Sequence, residues 1–103
     1  MSNETVMAYV TVWDSYTNDV SQHYLPIKIP QAKIPGNPTP VIFKSSMGQA
    51  VHEAFCASME GEELDDWKVV KSEEVIENSG LYVVTLINKK GTDISIYSVR
   101  FAP

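Results

Sequence analysis

Apolar and polar positions alternate twice between residues 81 and 101, with a polar break between the two runs: Leu-Tyr-Val-Val-Thr-Leu-Ile, then Asn88-Lys89-Lys90-Gly91-Thr92, then Asp-Ile-Ser-Ile-Tyr-Ser-Val-Arg-Phe. A period of two predicts a pair of strands, because successive side chains in a strand point to opposite faces. The break carries turn chemistry. Asn88 bonds readily to its own backbone, and Gly91 accepts the left-handed conformation that closes a three-residue loop with a bulge. Setting Asn88 opposite Thr92 places Leu86 against Ile94, Val84 against Ile96 and Tyr82 against Ser98, an apolar face expected to meet the core. The second face pairs Ile87 with Asp93, Thr85 with Ser95, Val83 with Tyr97 and Leu81 with Val99. It is mixed, either a half-covered outer surface or a contact surface for a partner. Val83, Thr85, Ser95 and Tyr97 are its candidate contact residues.

Upstream, residues 5–13 alternate with Val6, Ala8, Val10 and Val12 on one face and Met7, Tyr9, Thr11 and Trp13 on the other. Both sets are apolar enough to be covered, which suits a central strand. A second strand runs through His23 to Ile29, confined to an edge or broken, since Pro26 has no N–H to give a ladder. Five of the six prolines lie between residues 26 and 40, so that stretch is a docked loop or an extended arm and not a helix. Val41-Ile-Phe-Lys44 is a short third strand or the lead-in to a helix. Ser46 and Gln49 have capping-box spacing, and Met47, Val51, Phe55 and Met59 recur every four residues beside Ala50, Ala54 and Ala57. A helix from Met47 to Met59 or Glu60 follows, stopped at Gly61. Trp67 to Ile76 reads as a strand, with a bulge or exposed edge at Glu73-Glu74. Glu77-Asn-Ser-Gly80 repeats the turn chemistry of Asn88–Thr92.

The order is therefore β-β-(β)-α-β-β-β, an α+β domain with one helix packed on a curved, mainly antiparallel sheet. In element order alone it resembles cystatin-like and nuclear-transport-factor-like cone folds. At 103 residues the chain fits a single domain.

Charge changes the picture more than composition does. The net charge is −5, but residues 53–77 hold nine of the thirteen acids against two lysines. Such a field repels nucleic acid and anionic membrane, so neither is an expected partner. Glu62, Glu63, Asp65 and Asp66 are candidate contacts for a basic protein, or else serve solubility. No apolar run reaches membrane-spanning length, and the start, Met-Ser-Asn-Glu-Thr-Val, lacks the pattern of a secretory leader. One cysteine, Cys56, fits a reducing cytoplasm.

Reactive chemistry is sparse. His52 and Cys56 share one side of the helix at a spacing of four, which suits a metal pair or an activated thiol. A metal site lacks its further ligands, since His23 lies on another element, and no cofactor is expected. Adjacent carboxylates such as Glu73 and Glu74 point to opposite faces of a strand, so they make no acid–base dyad. The glycines at 36, 48, 61, 80 and 91 are too scattered for a phosphate loop. Tyr9, Trp13, Tyr24, Trp67 and Tyr82 are candidates to line a small-molecule pocket between helix and sheet.

Three jobs remain. One is a non-catalytic interaction protein acting through its sheet face or acidic segment, with self-association included. The second is a small-ligand binder or minor enzyme with an aromatic-lined pocket. The third is an acidic inhibitor of a basic, nucleic-acid-handling protein, as in mobile-element cargo.

Overall fold

The computed structural model describes residues 4–59 and 61–102. Residues 1–3, part of the start that lacks a leader pattern, and Glu60, an alternative last helical position, lie outside them. One helix packs on a five-stranded antiparallel sheet. The elements are β1 (Thr5–Asp14), β2 (Asp19–Lys28), β3 (Gln31–Ala32), β4 (Val41–Ile42), α1 (Met47–Ser58), β5 (Trp67–Glu74), β6 (Leu81–Asn88) and β7 (Ile94–Phe101). The sheet order is β2-β1-β7-β6-β5, so β1 is internal and β2 and β5 are the edges. Strands β3 and β4 form a separate two-residue pair, Gln31 opposite Ile42 and Ala32 opposite Val41. They clamp the root of the proline-rich loop, aided by the Phe43 N–H donating to the Pro30 carbonyl at 2.8 Å.

The β6–β7 register differs from the expectation by one residue. Asn88 lies opposite Asp93, not Thr92: its N–H donates to the Asp93 carbonyl at 3.0 Å, and its side-chain oxygen accepts from the N–H groups of Thr92 and Asp93. Gly91 does take the left-handed conformation, at φ 74°. The loop is one residue longer than expected, and a slip of one turns a strand over. Leu86 therefore pairs with Ser95, Val84 with Tyr97 and Tyr82 with Val99. On β6 the expected core set holds. On β7 the faces exchange: Ser95, Tyr97 and Val99 are buried, while Ile94 and Ser98 are exposed.

The core lies between α1 and this inner face. Met47, Val51 and Phe55 project from the helix onto Ala8, Val10, Leu25, Ile27, Val84 and Leu86. The expected capping box does not form, for Ser46 makes no side-chain cap bond. A single 3-10 turn, Lys44–Ser46, leads into the helix, and the Gly48 N–H donates instead to Ser72 Oγ on β5 at 2.9 Å. The sheet thus satisfies an amide of the first helical turn that a local cap was expected to serve. Gly48 is required there: a Cβ would stand 2.8 Å from Ser72 Cβ and 2.9 Å from a Val84 methyl.

Strand β5 ends at Glu74, short of Ile76, and Val75 and Ile76 lie exposed in the turn. It is an exposed edge, as expected, with its bulge between Val69 and Lys71 and not at the paired acids.

Candidate interaction surface

The face of the sheet opposite α1 is built by the alternate residues of five strands. One row runs Tyr24, Tyr9, Arg100, Leu81; the next, Gln22, Thr11, Ser98, Val83, Glu73; the third, Val20, Trp13, Ile96, Thr85, Lys71. Neither the helix nor the other strands cover these rows. Tyr9 is 47% exposed and Tyr24 52%. Their ring centroids are 4.8 Å apart, and the Arg100 guanidinium lies 5.1 Å from the centre of the Tyr9 ring. A cation held against a ring face is attracted to its quadrupole and is thereby oriented. A shallow depression of about 500 Å³ runs over Tyr9, Thr11, Gln22, Tyr24, Ser98 and Arg100. Trp13 is anchored at the end of β1 by its Nε1–H, which donates to Asn18 Oδ1 at 3.0 Å.

Charge is segregated across the sheet. The open face carries Arg100, Lys68 and Lys71 with Glu73, and Lys71 and Glu73 are 3.6 Å apart. Glu62, Glu63, Asp65 and Asp66 sit in the connector between α1 and β5, where Asp66 pairs with Lys89 at 3.1 Å. The sum of −5 conceals a mildly basic face.

The sequence-predicted site residues scatter. Val83 and Thr85 lie on the open face as expected. Ser95 and Tyr97 do not, because the one-residue slip turns them inward: Ser95 Oγ donates to the Trp13 carbonyl at 3.0 Å, and Tyr97 is 2% exposed. The five aromatic pocket candidates share no cavity. Tyr9, Trp13 and Tyr24 are on the open face, and Tyr82 and Trp67 pack on the core side. Tyr82 floors a cleft of about 370 Å³ at the arm end of the sheet, with Ile29, Met47 and Phe101, and Lys44 and Glu74 on its walls. Arg100 was missed. Its lone positive charge in a Ser-Val-Arg-Phe strand was the available signal, but only the correct register sets it beside Tyr9.

That Glu74 carboxylate, 8% exposed, ties three segments together. It accepts from Lys44 Nζ at 2.8 Å and from the N–H groups of Asn78 and Gly80, each at 2.9 Å. The Lys44 bond first, then those of Gly80 and Asn78, lower its pKa to about 2. Lys44 and Glu74, which face each other across the cleft, are thus already paired within the protein.

His52, 1% exposed, is also satisfied. Its Nε2 lies 3.0 Å from the Leu64 carbonyl, which can only accept, so Nε2 carries the proton and Nδ1 accepts from the Tyr97 hydroxyl at 2.8 Å. The imidazole thereby joins helix, sheet and acidic connector. Cys56 Sγ stands 3.8 Å from both ring nitrogens, each of which already has a closer oxygen partner. Burial, with Glu62 and Asp66 nearby, raises its pKa, the reverse of thiolate activation. Burial likewise raises that of Tyr97. Among the described residues no three His, Cys, Asp or Glu side chains gather to hold a metal, and no helix is long and apolar enough to cross a membrane.

No family model, curated protein or solved structure matches this chain.

Proposed function

We propose that this is a non-catalytic interaction protein whose working surface is the open face of the sheet. One observation carries the reading: three adjacent strands, β2, β1 and β7, present Tyr24, Tyr9, Trp13 and Arg100 on a face that the helix does not cover, while His52, Glu74 and Tyr97 are spent on internal bonds. Tyr and Trp supply large contact area at little entropic cost, Arg supplies directed polar bonds, and the three dominate binding energy at protein interfaces. The centre of this face has no acid, and Lys68, Lys71 and Glu73 stand along its β5 side, the pattern of an apolar centre inside a charged rim. The partner is a protein surface, acidic where it meets Arg100. The lone unpaired Cys56 suits action in the cytoplasm.

The test is site-specific photo-crosslinking in cells. A photoreactive residue at Ser98, in the middle of the face, should trap a discrete partner, and one at Glu53, exposed on α1, should not. Tyr9→Ser with Arg100→Ser should abolish the Ser98 adduct while leaving the fold intact. Adducts from Glu53 and none from Ser98 would move the function to the helix side and sink the proposal.

A further inference from the structure

The two edges of the sheet are built differently. Ile29 N–H donates to the Glu4 carbonyl at 2.9 Å, and the β1–β2 register runs without a break from Thr5 opposite Lys28 to Asp14 opposite Asp19. In an antiparallel ladder the hydrogen-bonded pairs fall on every second residue. The odd-numbered residues of β2 therefore bond to β1, and Val20, Gln22, Tyr24, Pro26 and Lys28 direct their backbone groups outward. Pro26 has no N–H to present. At the other end the strand stops at the turn containing Asn18, whose φ is 58°. Between these stops lies a bare rim, Val20 to Tyr24, with no Lys, Arg, Asp or Glu side chain, and Val20 is 62% exposed. The opposite edge, β5, carries a bulge together with Lys68, Lys71 and Glu73, devices that discourage strand addition.

We propose that the Val20–Tyr24 rim pairs with the same rim of a second copy of this chain, antiparallel, across a two-fold axis at Gln22. The register follows from the stops. An axis at Ser21 would call on Asn18, which sits in the turn, and an axis at His23 would call on the N–H that Pro26 lacks. The Gln22 axis sets Val20 of each copy opposite Tyr24 of the other and Gln22 opposite its own equivalent. It uses every outward position of the rim, roughly six hydrogen bonds.

Side chains agree with that register. Val20 meets the Tyr24 ring on the open face, and the two Gln22 amides meet each other; on the helix side Ser21 lies opposite His23. On the helix side α1 reaches the rim at His23, whose ring meets Phe55 edge-on with centroids 5.2 Å apart, and the groove of Ala50, Ala54 and Ala57 with Pro26 and Lys28 lies beyond it. The product is a ten-stranded sheet with two Tyr9–Tyr24–Arg100 rows flanking the axis. A ladder this short makes a weak, concentration-dependent dimer. The proposal is distinct from the docking face, because it rests on backbone groups of β2 and of the four docking side chains it engages Tyr24 alone.

Sedimentation velocity over a concentration series tests it. The wild type should pass from the monomer mass of 11.5 kDa to a dimer as concentration rises. Gln22→Pro removes an outward N–H and none of the β1 ladder. It should weaken the dimer at least about tenfold while leaving the circular dichroism spectrum and thermal midpoint close to wild type. In a Cys56→Ser background, Gln22→Cys should crosslink on mild oxidation, since paired Cα atoms at such a position lie about 5.5 Å apart, and Lys71→Cys on β5 should not. A wild type that stays monomeric at millimolar concentration without Gln22→Cys crosslinking overturns the proposal. So does a dimer that survives Gln22→Pro, or one that crosslinks through Lys71→Cys.

Discussion

The inner and outer faces of the sheet are made by the same strands, and both hold aromatic and aliphatic residues, yet they have opposite fates. The inner face places Ala8, Val10, Val84, Leu86 and Val99 under α1, nearly or wholly out of water. The outer face interleaves Thr11, Ser98 and Thr85 among Tyr9, Trp13, Val83 and Ile96. Small polar residues at alternate rows keep the outer face wettable without making it hydrophilic. What separates the faces is the close seat of the helix at Gly48, which lets one side be sealed; the side left unsealed keeps its apolar surface available.

Substitutions at matched depth should expose that asymmetry. Leu86 and Ile87 are neighbours on β6 facing opposite ways. Leu86→Ala should lower stability by about 2–5 kcal/mol through lost burial and a residual cavity, and Ile87→Ala by about 1 kcal/mol, both read by urea denaturation. Equal losses would mean that something covers the outer face in solution. Next in size, Gly48→Ala should cost about 1–3 kcal/mol despite alanine's better helix propensity, because its methyl meets Ser72 and Val84. A stabilised Gly48→Ala protein would show that the helix can ride higher on the sheet.

A smaller effect than that at Gly48 concerns the arm end and depends on pH. The folded pKa of Glu74, about 2, lies below the ordinary glutamate value of 4.5. Its ionised form therefore stabilises the fold above pH 4.5, and that contribution is lost as pH falls from 4.5 toward 2. Glu74→Gln should cost about 1–2 kcal/mol at pH 7, with the gap to wild type closing across that acid window. A gap that persists at pH 2 would assign the loss to shape and not to charge.

The helix was legible because a stripe recurring every four residues from Met47 through Val51 to Phe55 has one good burial solution, and the edge character of β2 was legible because Pro26 forbids the alternative. The faces of β1 were not, since Val10 and Tyr9 both belong to plausible core sets and pattern does not say on which side the helix lands. Nor was the face of β7, because the Asn88–Asp93 loop differs from an ordinary shorter one by a single position, and composition does not count positions. Gly48 looked like one scattered glycine among five. Its role depends on Ser72 and Val84, which approach it only once the sheet has formed.

The same connection between β6 and β7 has a consequence for how this chain can vary. The proline-rich arm has a clamped root and an exposed tip, and it should absorb insertions of any small length. Deleting or adding one residue among Lys89–Thr92 would bring Ile94, Ile96 and Ser98 under the helix and expel Tyr97 and Val99. In that loop nearly any amino acid is cheaper to exchange than to remove.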